Sequence, residues 1–250
     1  MESQEYELMY RAEDRHWWYR GMDAIARRTL DNWYAADARL RILDAGCGTG
    51  AALTTFLAEY GVATGVDLSP IALRFCRLRK AERLARASVD GLPFSAGSFD
   101  LVTSFDVLYE RSVANDGRAL DEFHRVLAPG GRVLLRLPAY DWLRGQHDEV
   151  VHTARRYSSG QAADLLRRSG FTVEHLSYAN MFLFPVALVK RLAEKIWPPR
   201  RPQSDLTRGA GPFNGILKFI LSMEAPLVAR TGLPFGLSVI AVGRKAGGNG

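Results

Sequence analysis

The sequence predicts an α/β domain built on a mostly parallel sheet with helices on both faces, and three observations carry that reading. A short apolar run, Arg41 to Ala45, breaks into the loop Gly46-Cys47-Gly48-Thr49-Gly50 and then into a periodic stretch from Ala51 to Tyr60, with Leu53, Phe56 and Leu57 on one face. A second apolar run, Val62 to Val66, ends in Asp67, 23 positions after Asp44. Beyond it, strand-type runs alternate with helix-type periods, the pattern of repeated strand–helix units. Strand, glycine loop and helix make a nucleotide-binding turn: a side chain would hold the backbone off a ligand, and tight turns require φ values that other residues resist.

Composition bounds the rest. With 250 residues, 47% hydrophobic and 24% charged, the chain reads as a soluble globular domain with a full core. The net charge of +6 is dispersed, apart from a mostly basic stretch from Lys190 to Arg208. That excess suits an anionic surface or an acidic substrate, and with no base-reading motif nucleic acid is not an expected partner. Two cysteines, Cys47 and Cys76, make no disulfide framework and no metal spacing. The expected location is the cytoplasm, or the periphery of the inner membrane surface. Met1 to Arg15 is acid-rich without an apolar core, so no signal peptide is expected. Leu176 to Val189 is uncharged for 14 residues, whereas a spanning helix needs roughly 20.

In chain order, Met1 to Tyr34 reads as two helical pieces split near Tyr19-Arg20-Gly21, with Ile25, Thr29 and Leu30 on the apolar side of the second. The aromatic cluster His16-Trp17-Trp18-Tyr19 is either core at the sheet edge or a lid over the cofactor loop. Ser69-Pro70 caps and opens a helix through Arg79, after the strand end Asp67-Leu68. Leu84 to Val89 gives a third strand and Ser98 to Leu108, including Phe105, a fourth. Ala119 to Leu127 is an amphipathic helix, and Pro129-Gly130-Gly131 turns it into the strand Arg132 to Leu137. A helix capped by Ser158 or Ser159 runs to Ser169, with strands at Phe171 to Ser177 and Leu237 to Arg244.

The glycine loop alone leaves the ligand open. Written Gly46-x-Gly48-x-x-Ala51, it also satisfies the dinucleotide fingerprint, so a nicotinamide or flavin oxidoreductase is a rival. Asp44 tilts the choice, since a carboxylate at the strand end repels a pyrophosphate and suits a cationic ligand. The pattern Asp44-x-Gly46-x-Gly48-x-Gly50 resembles the first motif of class I S-adenosylmethionine-dependent methyltransferases. Asp67, Asp90-Gly91-Leu92-Pro93-Phe94 and Leu127-Ala128-Pro129-Gly130-Gly131-Arg132 resemble later segments of that family, in order. The resemblance implies a Rossmann-like seven-stranded sheet whose last strand is antiparallel and lies between the fifth and sixth. It implies S-adenosylmethionine as cofactor and S-adenosylhomocysteine as product. Asp44, Gly46, Gly48 and Gly50 would hold the methionine end, with Arg20 on its carboxylate. Asp67 would hold the ribose and Asp90 with Leu92 the adenine, with Leu68, Gly91 and Phe105 as further cofactor-binding residues. Many relatives have a Leu-Glu-His where this chain has Leu108-Tyr109-Glu110-Arg111, so no histidine role carries over there.

The acceptor wall is expected between Pro138 and Tyr157, where the His-Asp-Glu, His, Arg-Arg-Tyr sequence resembles small bacterial methyltransferases of the type 11 kind. His147, His152 and Tyr157 are the catalytic candidates, a histidine serving as general base for an oxygen acceptor. Metal is not expected, because a spacing of five residues keeps His147 and His152 off one helical face. The expected organisation is an N-terminal helical lid at 1–40, a cofactor-binding core at 41–177, an apolar and basic helical insertion at 178–235, and a last strand and tail at 236–250. The insertion is read as a cap, a homodimer face or a peripheral membrane contact. The expected activity is methyl transfer to a small-molecule or lipid-linked acceptor; a non-catalytic binding module stays open as the rival of another class.

Overall fold

The computed structural model describes residues 3–145, 148, 153–196 and 211–247. Seven strands form one sheet: β1 (Leu40–Ala45), β2 (Gly61–Asp67), β3 (Leu84–Arg86), β4 (Phe99–Phe105), β5 (Leu127–Pro138), β6 (Phe171–Ala179) and β7 (Ser238–Lys245). Their order is β3-β2-β1-β4-β5-β7-β6, parallel except for β7, which is antiparallel to both β5 and β6. Central strands are apolar on both faces, with Ile42, Leu43, Leu101, Val102, Leu134 and Leu135 fully buried. That pattern marks a sheet covered on both sides.

The α-helices bounded within the described residues are α1 (Ser3–Glu13), α2 (Trp17–Leu30), α3 (Ala51–Thr54), α4 (Pro70–Leu78), α5 (Asp116–Val126), α6 (Ser159–Arg168), α7 (Phe184–Ile196), α8 (Asn214–Met223) and α9 (Ala225–Arg230). The starts of α2, α4, α5 and α6 follow capping chemistry. The Ser69 hydroxyl accepts the Ala72 N–H, with Pro70 in the first turn of α4. Ser158 and Gln161 close a capping box on α6.

Four expectations are corrected. The N-terminal break falls at Asp14 to His16, and Gly21 lies inside α2. There a Cβ would stand 2.6 Å from Leu221 of α8, so this glycine serves close helix packing. The helix after the glycine loop stops at Thr54, where Thr55 leaves the helical region with φ −114° and ψ −108°; the hydroxyls of Thr54 and Thr55 bond back to the carbonyls of Gly50 and Ala51. The third strand ends at Arg86, and Gly91 N–H turns back onto the Ser88 carbonyl at 3.2 Å. Finally, Pro129-Gly130-Gly131 lies within β5 as a bulge, the register jumping from Phe99 opposite Leu127 to Leu101 opposite Arg132.

The segment before β7 is tied back to the N-terminal helices. Asn214 accepts the Trp17 N–H at 2.8 Å and donates to the Arg15 carbonyl at 2.8 Å. Glu224, fully buried between α8 and α9, accepts the Met181 and Phe182 N–H groups at 3.1 and 2.7 Å. No helix among the described residues is long and apolar enough to cross a membrane.

Candidate functional site

The carboxyl ends of β1, β2 and β4 open onto a cavity of about 770 Å³, walled on its other sides by α1, the start of α2, and α7. This is where an open α/β sheet binds its ligand. Its floor is the glycine loop. Gly46, Gly48 and Gly50 all have positive φ, at 84, 54 and 84°, so the turn itself demands glycine at alternate positions.

The loop does not present a phosphate cradle. The N–H groups of Gly46 and Cys47 both bond the Val66 carbonyl, that of Gly50 bonds the Cys47 carbonyl, and that of Gly48 bonds the Asp67 carboxylate at 3.0 Å. A pyrophosphate site requires such groups turned to the ligand at the head of a helix, and α3 has one turn only.

Acids surround the loop instead. Asp44 is buried, and its carboxylate accepts the Thr103 hydroxyl at 2.7 Å. Burial pushes its carboxyl up to about 7, against the opposing pull of the Thr103 hydrogen bond and of Arg136. Asp67 accepts the N–H groups of Gly48 and Ser69, at 3.0 and 2.8 Å, yet burial still raises its carboxyl. Glu13, from α1, accepts the Thr49 hydroxyl and pairs with Arg79 at 3.2 Å; burial pushes it up to about 7 as well. A buried acid that is costly to ionise is complementary to a cationic ligand. The two thiols, Cys47 and Cys76, lie 3.8 Å apart beneath the loop, and Cys76 donates to the Gly48 carbonyl.

Arg136, a cation inside the apolar strand β5, stands at the middle of the cavity wall. Its Nε donates to Asp106 at 2.6 Å, and its guanidinium lies 4.9 Å from the Trp18 ring and 5.0 Å from the Phe105 ring. Asp106 is held at φ 59°, the left-handed region, immediately after β4. The phenols of Tyr19 and Tyr109, desolvated at the same wall, are held well above their usual range and stay protonated at neutral pH.

Past Arg136 the lining changes. Leu143, Leu183, Val186, Ala187 and Leu217 make it apolar, and its cations are Arg156, Lys190 and Arg191. Arg156 is fixed by a two-pronged pair with Asp148, at 2.9 and 3.0 Å, and by the Ala139 carbonyl. Burial would raise the Asp148 carboxyl, but the Arg156 pair outweighs it and holds it low.

Of the residues singled out in the sequence, the cavity brings together Asp44, Gly46, Gly48, Asp67, Leu68 and Phe105. Gly50 lies behind the loop against Cys76. Arg20 faces a smaller cleft between α2 and α8, paired with Asp23 at 3.3 Å. Asp90, Gly91 and Leu92 stand outside the lining, which is made there by Ala87, Ser88 and Val89. Leu92 is core, its N–H on the Glu122 carboxylate, and the Asp90 carbonyl accepts from Arg118. Tyr157 is buried away from the cavity, its hydroxyl 2.9 Å from Asp116 and 3.3 Å from the Leu108 carbonyl. His147 and His152 lie outside the described residues.

Sequence reasoning missed Tyr6, Met9 and Glu13 on α1, together with Ser88, Asp106 and Arg136. For Arg136 a signal existed: a lone cation in the apolar run Val133 to Leu137. Among the described residues no group of three His, Cys, Asp or Glu side chains could hold a metal.

Comparison with known proteins follows the same lines. Residues 43–135 match the methyltransferase domain family. A protein of Encephalitozoon cuniculi named as a methyltransferase is 38% identical over 169 residues, covering 67% of this chain and 71% of its own. The demethylmenaquinone methyltransferase of Clavibacter sepedonicus is 35% identical over 199 residues, covering 76% and 73%. The chain spans about half the length of some other demethylmenaquinone methyltransferases that it matches. Among solved structures, a chain of the complex between the Haloferax volcanii Trm112 methyltransferase activator and a methyltransferase superposes with a TM-score of 0.63 at 20% identity, over 99% of this chain and 96% of that one.

Proposed function

The chain belongs to the class I S-adenosylmethionine-dependent methyltransferases, and from that membership we propose that it methylates an amphipathic acceptor, a small molecule or a lipid-linked one. The observation that carries the proposal is the division of the cavity: acids gather at the glycine loop, and apolar side chains with Lys190, Arg191 and the Arg156–Asp148 pair at the far end. A cationic cofactor suits the first half. An acceptor with an apolar body and an anionic group suits the second.

In this reading Asp44 and the backbone of Gly46 and Gly48 hold the methionine end, Asp67 takes the ribose hydroxyls, and Leu68 and Phe105 flank the adenosine. Ser88 and Val89 replace Asp90 and Leu92 at the adenine edge. The cofactor, when bound, supplies an electrophilic methyl group on a sulfonium leaving group. The protein's part is then orientation, which can contribute about 7 to 11 kcal/mol. The Arg136–Asp106 pair, braced between Trp18 and Phe105, fixes the wall where the two halves meet. Helices α1 and α2 act as the lid, latched to the loop through Glu13 and Thr49. Tyr157 serves the fold, and any proton acceptor for an oxygen nucleophile is sought at His147 or His152. The work site is the cytoplasm or the inner membrane surface.

The relatives named as demethylmenaquinone methyltransferases favour an acceptor with a long apolar portion. The test is transfer of a tritiated methyl group from S-adenosylmethionine into bacterial lipid extract and, separately, into aqueous extract. Label entering the organic phase, and lost in Asp67→Ala, is the expected result. Label in neither extract sinks the proposal, and label in the aqueous phase alone moves the acceptor to polar small molecules.

A further inference from the structure

The sides of α7 and α8 turned away from the cavity are apolar and uncovered. Val189 and Leu192 on α7, and Ile216, Phe219 and Met223 on α8, are each more than half exposed. On α8 the three recur at i, i+3 and i+7, a single stripe of the helix. The other sides of these helices are used: Ala187 and Leu217 line the cavity, and Leu221 is buried against Gly21.

Charge on this segment is mostly positive. Across 181–196 and 211–237 the cations are Lys190, Arg191, Lys195, Lys218 and Arg230, and the acids are Glu194 and Glu224. Glu224 is fully buried and occupied by the Met181 and Phe182 N–H groups, so it offsets nothing at the surface. Large apolar side chains interleaved with an excess of cations are complementary to an anionic bilayer: the apolar side chains enter the acyl boundary while the cations meet the headgroups. The surface is also continuous with the cavity. Val186 and Lys190 are exposed and line it at the same time.

We infer that α7 and α8 dock on an anionic lipid bilayer, and that the acceptor passes from the bilayer into the cavity over Val186 and Lys190. The route rests on the amphipathic-acceptor reading above; the docking stands on the surface itself.

The full chain is pelleted with vesicles of phosphatidylcholine, with and without phosphatidylglycerol, beside Val189→Asp/Phe219→Asp and Lys218→Glu. Both altered apolar positions are exposed and outside the cavity lining, so thermal melting and calorimetric binding of S-adenosylhomocysteine should match the parent. The expected result is binding that needs phosphatidylglycerol, weakens with salt, and falls by about tenfold or more in the double variant, with a smaller fall in Lys218→Glu. No vesicle binding by the parent, or binding indifferent to lipid charge and to the double variant, overturns the inference. So does a dimer in sedimentation that the double variant dissociates without any vesicle binding; the surface would then meet a second copy. Vesicle binding without binding of S-adenosylhomocysteine leaves the docking intact and rejects the methyl-transfer reading instead.

Discussion

If Asp44 faces the cationic end of the cofactor, as proposed, cofactor binding depends on pH. Its carboxyl sits at about 7 because burial disfavours the charge. A cationic ligand favours the charge, so binding expels the proton wherever the free site holds one, and affinity rises with pH up to about 7 and then levels. At pH 5 a group of this pKa is about 99% protonated, at pH 7 half. Affinity for S-adenosylmethionine should therefore be about 50-fold weaker at pH 5 than at pH 7, or about 2.3 kcal/mol. Thr103→Val removes a hydroxyl that stabilises the carboxylate. A hydrogen bond to a charged group contributes about 1.5 to 3 kcal/mol, so the level stretch should begin about 1 to 2 pH units higher in that variant. The same shift acts on the unliganded fold in the opposite sense. A carboxyl raised in the folded state gives stability that is full below its unfolded value, about 4, and lost as pH rises through about 7. The assay is calorimetric titration at pH 5, 6 and 7 in buffers of differing ionisation enthalpy, which counts the released proton. Equal affinity across that range would refute the reasoning. A slope that persists in Asp44→Asn would transfer it to Glu13, the other acid held at about 7.

Further expectations concern single side chains. Asp106→Ala leaves the nearly buried Arg136 without its carboxylate, and should cost about 3 kcal/mol in a denaturant or thermal melt. Tyr157→Phe should cost about 1 kcal/mol of stability through the lost Asp116 bond and leave kcat unchanged; a large fall in kcat would return it to the catalytic candidates. If His147 or His152 is the base for an oxygen acceptor, the corresponding His→Gln variant loses the acid limb of the pH–rate profile, about 100-fold in kcat. An unaltered profile in both would leave orientation alone as the source of rate.

The parts of the fold that the sequence announced are those fixed by local chemistry. The loop at Gly46 to Gly50 needs positive φ at three alternate positions, and no pattern of apolar residues could disguise that. Ser69-Pro70 and Ser158 are caps with a sequence signature. Errors arose where tertiary contact decided. Gly21 read as a break because its packing partner, Leu221, lies 200 positions further on. Pro129-Gly130-Gly131 read as a simple turn, although the pairing of Leu127 with Phe99 starts the strand before it. At the site, the place of Asp44 and Asp67 on the cavity was legible because they end strands that open onto it in this topology. Ser88 was not, since the chain leaves the sheet at Arg86 and its turn takes Asp90 away from the cavity. Glu13 and Arg136 reach the site through the packing of α1 and the position of β5 in the sheet, which one chain read in order does not display.

The central claim is that the acid-lined half of the cavity holds an adenosyl sulfonium ligand and not a dinucleotide. Calorimetric titration of the full chain with S-adenosylmethionine, S-adenosylhomocysteine and NADH, beside Asp67→Ala, tests it most directly. The account predicts binding of both adenosyl ligands, weakened at least about tenfold in the variant, where hydrogen bonds to a charged group are lost, and no heat from NADH. Binding of NADH with no response to either adenosyl ligand would contradict it.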